Sequence, residues 1–126
     1  MNICLIGNGL ISLTLAKTLV NNKIKVFMYY ENSKKILSNN RTISITADNW
    51  NFLEKEVIKI KKKLVWEIND IEIYDEKNRK EKILNFQKSK KKLFSIIKYN
   101  DLYKSLDKSL QKNNYFKKIK IFNKSF

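Results

Sequence analysis

Histidine and proline are absent from this 126-residue chain, cysteine occurs once, and there are two glycines and two arginines. Each shortage removes a class of chemistry. Without histidine, and with a single cysteine, zinc sites and histidine-based acid–base catalysis are excluded. The lone Cys4 cannot form an intramolecular disulfide. Set inside an apolar run, it is expected to be a buried, inert thiol, in keeping with a reducing cytoplasm. No apolar run reaches the roughly 18 residues that a membrane-spanning helix needs, so none is expected. The short apolar start is interrupted by the glycines, and no signal peptide is expected either.

Negative charge is also scarce. Lysine and arginine number 27 against 12 acids, a net charge of +15. Such a surplus suits nucleic acid or an anionic membrane surface. Nearly all of it is lysine, however, whereas readers of phosphate and base edges favour arginine. The bias toward Lys, Asn and Ile is that of AT-rich codons, and the charge reads mainly as solvated surface. No specific nucleic-acid partner is expected. Peripheral association with anionic lipid headgroups, for instance at an inner membrane, stays open beside a cytoplasmic location.

Both glycines fall in one turn, although each costs backbone entropy. Residues 2–6 form an apolar run, Asn2-Ile3-Cys4-Leu5-Ile6, followed by Gly7-Asn8-Gly9-Leu10-Ile11-Ser12 and the helical pattern Leu13-Thr14-Leu15-Ala16-Lys17-Thr18-Leu19-Val20. A second apolar run, residues 24–30, ends at Glu31. Strand, Gly-x-Gly turn, helix and strand make up a dinucleotide-binding βαβ start. Gly7 lets the chain turn off the strand, and Gly9, lacking Cβ, lets a pyrophosphate approach the backbone. The helix beginning at Leu10 and Ile11 points its N–H groups and positive dipole end at that phosphate. Ser12 replaces the third glycine of the fingerprint, a small residue that still permits close packing. The ribose-binding acid is expected at the end of the second strand. By spacing that position is Tyr30, with Glu31 one residue late, and a one-residue slip turns a strand side chain to the other face. Glu31 serves only if the strand end bulges or the loop turns it back.

The rest of the chain continues in α/β style. Residues 32–40 read as a polar loop, 41–46 as a strand, and 47–61 as a helix with Trp50, Leu53, Val57 and Ile60 at helical spacing. Residues 68–74 and 81–86, joined by a charged turn at 76–80, suggest a two-stranded hairpin. A basic link at 89–92 leads to a short strand at 93–97. Asn100 is placed to cap a helix over 101–112, with Leu102, Leu106 and Leu110 on one face. Residues 118–122 read as a final strand. Trp50, Trp66, Tyr99, Tyr103 and Tyr115 fit apolar faces and are expected in the core. With no repeat, linker or boundary, residues 1–126 are expected to form a single, partial domain.

The order of these pieces resembles the amino-terminal part of the FAD-dependent aromatic-ring hydroxylases of the para-hydroxybenzoate hydroxylase fold, most of all the ubiquinone-biosynthesis hydroxylases. Four segments carry the resemblance: residues 7–12; Arg41-Thr42-Ile43-Ser44-Ile45-Thr46 with Asn51-Phe52-Leu53-Glu54; Ile71-Glu72-Ile73-Tyr74-Asp75 with its hairpin; and Asn100-Asp101-Leu102-Tyr103-Lys104-Ser105-Leu106. The resemblance implies a Rossmann-like FAD-binding unit with a parallel sheet and an inserted hairpin. It also implies roles for residues: Gly7, Gly9 and Ser12 around the FAD pyrophosphate, Glu31 on the adenosine ribose, and Arg41 near the flavin and its phosphates. A bidentate guanidinium suits a phosphate clamp.

In such enzymes NAD(P)H reduces FAD and one oxygen atom is transferred to an aromatic ring, here plausibly a polyprenyl phenol. The flavin carries the chemistry while the protein binds and orients. The chain covers about the first third of such enzymes and lacks their later Gly-Asp segment and most of the substrate domain, so it is expected to be inactive alone. Two other readings remain at this point: an NAD(P)-binding Rossmann domain of another oxidoreductase, and a basic module for nucleic acid or a membrane surface. The inserted hairpin and the Arg41 segment speak against the first.

Overall fold

The computed structural model describes residues 1–31, 41–77, 81–87 and 92–121. Its first unit is β1 (Asn2–Ile6), α1 (Leu10–Asn21) and β2 (Lys25–Tyr30). The two strands are parallel, with Ile3 opposite Val26 and Leu5 opposite Met28. Leu13, Ala16 and Val20 recur at helical spacing and are buried together with Val26 and Met28. Lys23 takes a left-handed backbone, φ 60°, in the turn that brings α1 into β2. The last strand, β8 (Phe116–Lys120), lies parallel on the other side of β2, with Met28 opposite Lys118 and Tyr30 opposite Lys120.

Strand alternation corrects one expectation. In β1, Ile3 and Leu5 are half-buried, whereas Asn2, Cys4 and Ile6 are exposed. Cys4 is therefore a surface thiol. The face of β1 that packs on the helices is the Leu5 face, and period-two alternation puts Cys4 on the other one.

A second sheet is antiparallel. Its central strand, β7 (Phe94–Lys98), pairs with β3 (Thr42–Thr46) on one side and β4 (Val65–Ile68) on the other. The expected hairpin is present as β5 (Asp70–Tyr74) against β6 (Lys82–Gln87). Helices fill the space beside the two larger sheets: α2 (Ala47–Phe52), a π turn over Leu53–Val57, and α3 (Tyr99–Gln111). Trp50, Leu53, Val57, Leu102, Leu106 and Leu110 join the α1 residues in one core.

Several boundaries differ from the sequence reading, each for a local reason. The helix expected through residue 61 stops at Val57. There the amide of Asn21, from α1, donates to the carbonyls of Glu56 and Val57 (2.9 Å each), and Ile58 is already extended. Residues 58–61 are left outside any helix, and a short 3₁₀ turn, Lys62–Leu64, leads into β4, which takes Ile68 from the strand expected over 68–74. The helix α3 starts two residues early, at Tyr99, so Asn100 lies within it and Lys98 stands at the cap. The N–H of Tyr99 donates to the carbonyl of Arg41 (3.0 Å), which satisfies one helix-end donor without a capping side chain.

Trp66 and Tyr115, expected in the core, are exposed, while Trp50, Tyr99 and Tyr103 are buried. The loop at 32–40 lies outside the described residues, as do residues 78–80 of the charged turn, 89–91 of the basic link and residue 122 of the final strand. Among the described residues no helix is long and apolar enough to cross a membrane.

Candidate functional site

The glycine turn sits between the end of β1 and the start of α1. Gly7 has φ +100°, a conformation that L side chains rarely adopt. Its N–H donates to the carbonyl of Tyr29 (2.7 Å), which ties the turn to the end of β2. Ser12 stands close behind: its hydroxyl oxygen is 3.9 Å from where a Gly7 Cβ would lie, so a small residue fits there. Gly9 is extended (φ −71°, ψ 174°) and forms the N-cap of α1. A Cβ at Gly9 would meet nothing within 4 Å, so space is open in front of the backbone.

The first intrahelical bond runs from the Leu13 N–H to the Gly9 carbonyl (3.0 Å). The amides of Leu10, Ile11 and Ser12 precede it and have no intrahelical acceptor. The first turn carries no acidic side chain that would compete for them. Donors and dipole together favour an anion at this point.

A pocket of about 310 Å³ opens beside the turn, lined by Ile6, Gly7, Asn8, Tyr29, Tyr30, Glu31 and Ile121. Glu31, one residue past the end of β2, is thus brought to the same pocket as Gly7. Tyr30 lines the pocket as well. Its ring lies 5.0 Å from the ammonium of Lys118, which is itself paired with Asp107 of α3 (2.7 Å). The contact of ammonium with ring face is attractive.

Leu10 and Ile11 follow the turn in the chain, and neither lines the Gly7–Glu31 pocket. Their side chains line a separate apolar groove of about 640 Å³ with Leu15, Ile43, Ile45 and Phe52. Arg41 is not among the pocket residues. Its guanidinium lies 4.3 Å over the ring of Tyr99. Tyr99 stacks on Tyr103 (6.2 Å between centroids, 22° between planes). The side-chain amide of Asn8 donates to the Tyr103 hydroxyl at 3.4 Å, a long bond. Burial pushes the Tyr103 phenol pKa up, partly offset by Lys118.

Sequence reasoning missed Asn8, Tyr99, Tyr103, Asp107 and Lys118 as neighbours of the site. The usable signal was the four-residue spacing of Tyr99, Tyr103 and Asp107, which places them on one helix face. Away from the site, on the hairpin, the Glu72 carboxylate accepts from Lys82 and Tyr74, and these bonds hold its pKa below the usual range. Among the described residues no group of three metal-ligating side chains is assembled.

A scan of known protein families finds none that matches the sequence, and a search of curated proteins finds no relative. Solved structures do match. The p-nitrophenol 4-monooxygenase PnpA from Pseudomonas putida superposes with a TM-score of 0.75 at 13% identity, over 94% of this chain and 32% of that one. PqsL from Pseudomonas aeruginosa, a probable FAD-dependent monooxygenase, gives 0.72 at 13% identity, over 95% and 33%. A geranylgeranyl bacteriochlorophyll reductase-like protein from Thermoplasma acidophilum gives 0.64 at 18% identity, over 94% and 29%. The chain spans about a third of the length of the structures it matches. Its fold is the α/β arrangement, parallel sheet with inserted hairpin, found in FAD-dependent aromatic monooxygenases, as the sequence resemblance anticipated.

Proposed function

We propose that this chain is the FAD-binding portion of a flavin-dependent monooxygenase. The observation that carries the reading is one pocket that joins Gly7 and Asn8 of the turn to Glu31, with the free amides at the start of α1 following directly in the chain. These are the parts that an adenine dinucleotide needs, in the order it needs them. The α1 amides and dipole hold the pyrophosphate. Gly9 leaves room for its close approach, and the Glu31 carboxylate accepts from ribose hydroxyls. Arg41 is exposed, with its guanidinium over the ring of Tyr99, and Tyr99 stacks on the Tyr103 that meets Asn8. Arg41 would serve phosphates reaching past the pocket.

Bound FAD would supply the redox and oxygen-transfer chemistry. NAD(P)H as electron donor and an aromatic ring as acceptor, a polyprenyl phenol in a ubiquinone-type pathway, complete the reading. What the residues of this chain do is bind and orient the cofactor. The hydroxylation belongs to the protein with all its parts, and the chain alone is expected to be inactive. The antiparallel sheet and the hairpin between β2 and β8 favour the flavoprotein over a plain NAD(P) domain. A cytoplasmic location fits this function, and the lysine-rich surface suits loose contact with a lipid face.

Calorimetric titration with FAD, ADP and FMN tests the reading. FAD and ADP are expected to bind in competition and FMN to bind weakly, since the pocket holds the adenosine end. Preference for FMN, or no binding of either adenine nucleotide by the folded chain, would overturn it.

A further inference from the structure

We propose that one face of α3 sets the geometry of the dinucleotide site, with Tyr103 as its central positioning residue. Three residues spaced by four, Tyr99, Tyr103 and Asp107, lie along that face, and each ends on a different part of the site. Tyr99 carries the Arg41 guanidinium on its ring and takes the Arg41 carbonyl with its N–H. Tyr103 accepts from Asn8, the middle residue of the glycine turn, 95 positions away in sequence. Asp107 accepts from Lys118, whose ammonium also rests against Tyr30 at the pocket wall. This proposal rests on the reading of the turn as a dinucleotide site.

Packing accounts for the rings: Tyr99 and Tyr103 are buried in the core with Leu102, Leu106 and Leu110. It does not account for the polar contacts that this stripe makes. The Tyr103 hydroxyl meets the turn, the Asp107 carboxylate meets the lysine beside Tyr30, and the Tyr99 ring face meets the arginine. The Tyr103 hydroxyl is delivered by a ring that is 7% exposed and stacked on Tyr99, so it reaches Asn8 from a fixed support. The turn's other anchors among the described residues are backbone bonds, from the Gly7 N–H to Tyr29 and from the Leu13 N–H to the Gly9 carbonyl, with open space before Gly9. A hydrogen bond at Asn8 therefore acts on the segment whose backbone must present N–H groups to phosphate.

The glycines provide a direct readout. Gly7 and Gly9 are the chain's only two, so the glycine region of a ¹H–¹⁵N spectrum reports this turn and nothing else. Tyr103→Phe removes the hydroxyl and keeps the ring. It is expected to shift both glycine resonances, leave the indole resonances of Trp50 and Trp66 in place, and weaken FAD binding about three- to tenfold, the value of one hydrogen bond. Asn8→Ala removes the same bond from the other side. The double variant should lose no more than the larger single loss, because the two residues act as one unit.

Unmoved glycine resonances in Tyr103→Phe would overturn the proposal, as would multiplying losses in the double variant. Shifted glycines with unchanged FAD affinity would overturn its link to binding. If the wild-type chain binds no FAD, the functional reading fails separately, and the glycine resonances still decide whether Tyr103 positions the turn.

Discussion

The side-chain amide of Asn8 meets the hydroxyl of Tyr103 across 95 positions of sequence. The first turn of the chain is thereby joined to α3, the last helix among the described residues. A phosphate-binding turn takes its shape from backbone conformation, and here that conformation is set both by its glycines and by a side chain that arrives late in the chain.

The two glycines should separate stability from binding. Gly7, at φ +100°, cannot take a side chain without strain. Gly7→Ala is expected to destabilise the fold by about 1–3 kcal/mol, measured by chemical denaturation. Gly9 is extended and has open space around its Cβ position. Gly9→Ala should change stability by less than about 1 kcal/mol. It should still weaken FAD binding by roughly tenfold, because the backbone approaches the pyrophosphate closely at the second glycine.

Cys4 is exposed on the face of β1 that turns away from α1. A thiol reagent such as dithionitrobenzoate should react fully with the native chain, one equivalent per molecule, at a rate close to that of the unfolded protein. Protection of Cys4 under native conditions would mean that this face is covered.

Ser95 is fully buried in β7, and among the described residues its hydroxyl has no hydrogen-bond partner. Leaving such a group dry costs about 1–3 kcal/mol. Ser95→Ala keeps the volume close and removes the group. Its expected effect is a gain of roughly 1 kcal/mol, read as a raised denaturation midpoint with an unchanged slope.

Two tyrosines should ionise late in an alkaline titration followed by absorbance. Tyr103 is pushed up by burial, and Tyr74 by its hydrogen bond to Glu72. A phenol with a raised folded pKa holds its proton more tightly in the folded state. Its contribution to stability is present below the unfolded value, about 10, and is lost as pH rises through the folded one. Tyr103→Phe should remove one of the two late transitions and flatten the alkaline fall in stability.

Much of this was legible in the sequence because local rules act on the first 31 residues without competition. Apolar alternation, two glycines in one turn and a clean helix pattern gave β1, α1 and β2. The core face of α3 was visible as Leu102, Leu106 and Leu110. The parts that were not legible depend on contacts between distant segments. The helix after Ala47 ends at Val57 because Asn21, on another helix, takes its last carbonyls. Asn100 looked like a cap, yet the Arg41 carbonyl from β3's side accepts the Tyr99 N–H and lets α3 begin earlier. Cys4 was placed on the wrong side because an apolar run of five residues does not say which of its faces packs against helices. Glu31 is one residue from the expected register, and spacing alone does not show that Tyr30 and Glu31 both line the Gly7 pocket.

Titration of the purified chain with FAD, followed by quenching of flavin fluorescence and repeated on Gly9→Trp, bears on the dinucleotide site itself. Circular dichroism of both proteins establishes that each is folded. A Cβ at Gly9 meets nothing within 4 Å, so the added side chain starts into open space. Saturable binding of one FAD per chain by the wild type, abolished in Gly9→Trp, is the expected result. Binding that is absent in the folded wild type, or that survives the substitution, would contradict the assignment of FAD to the Gly7–Glu31 pocket.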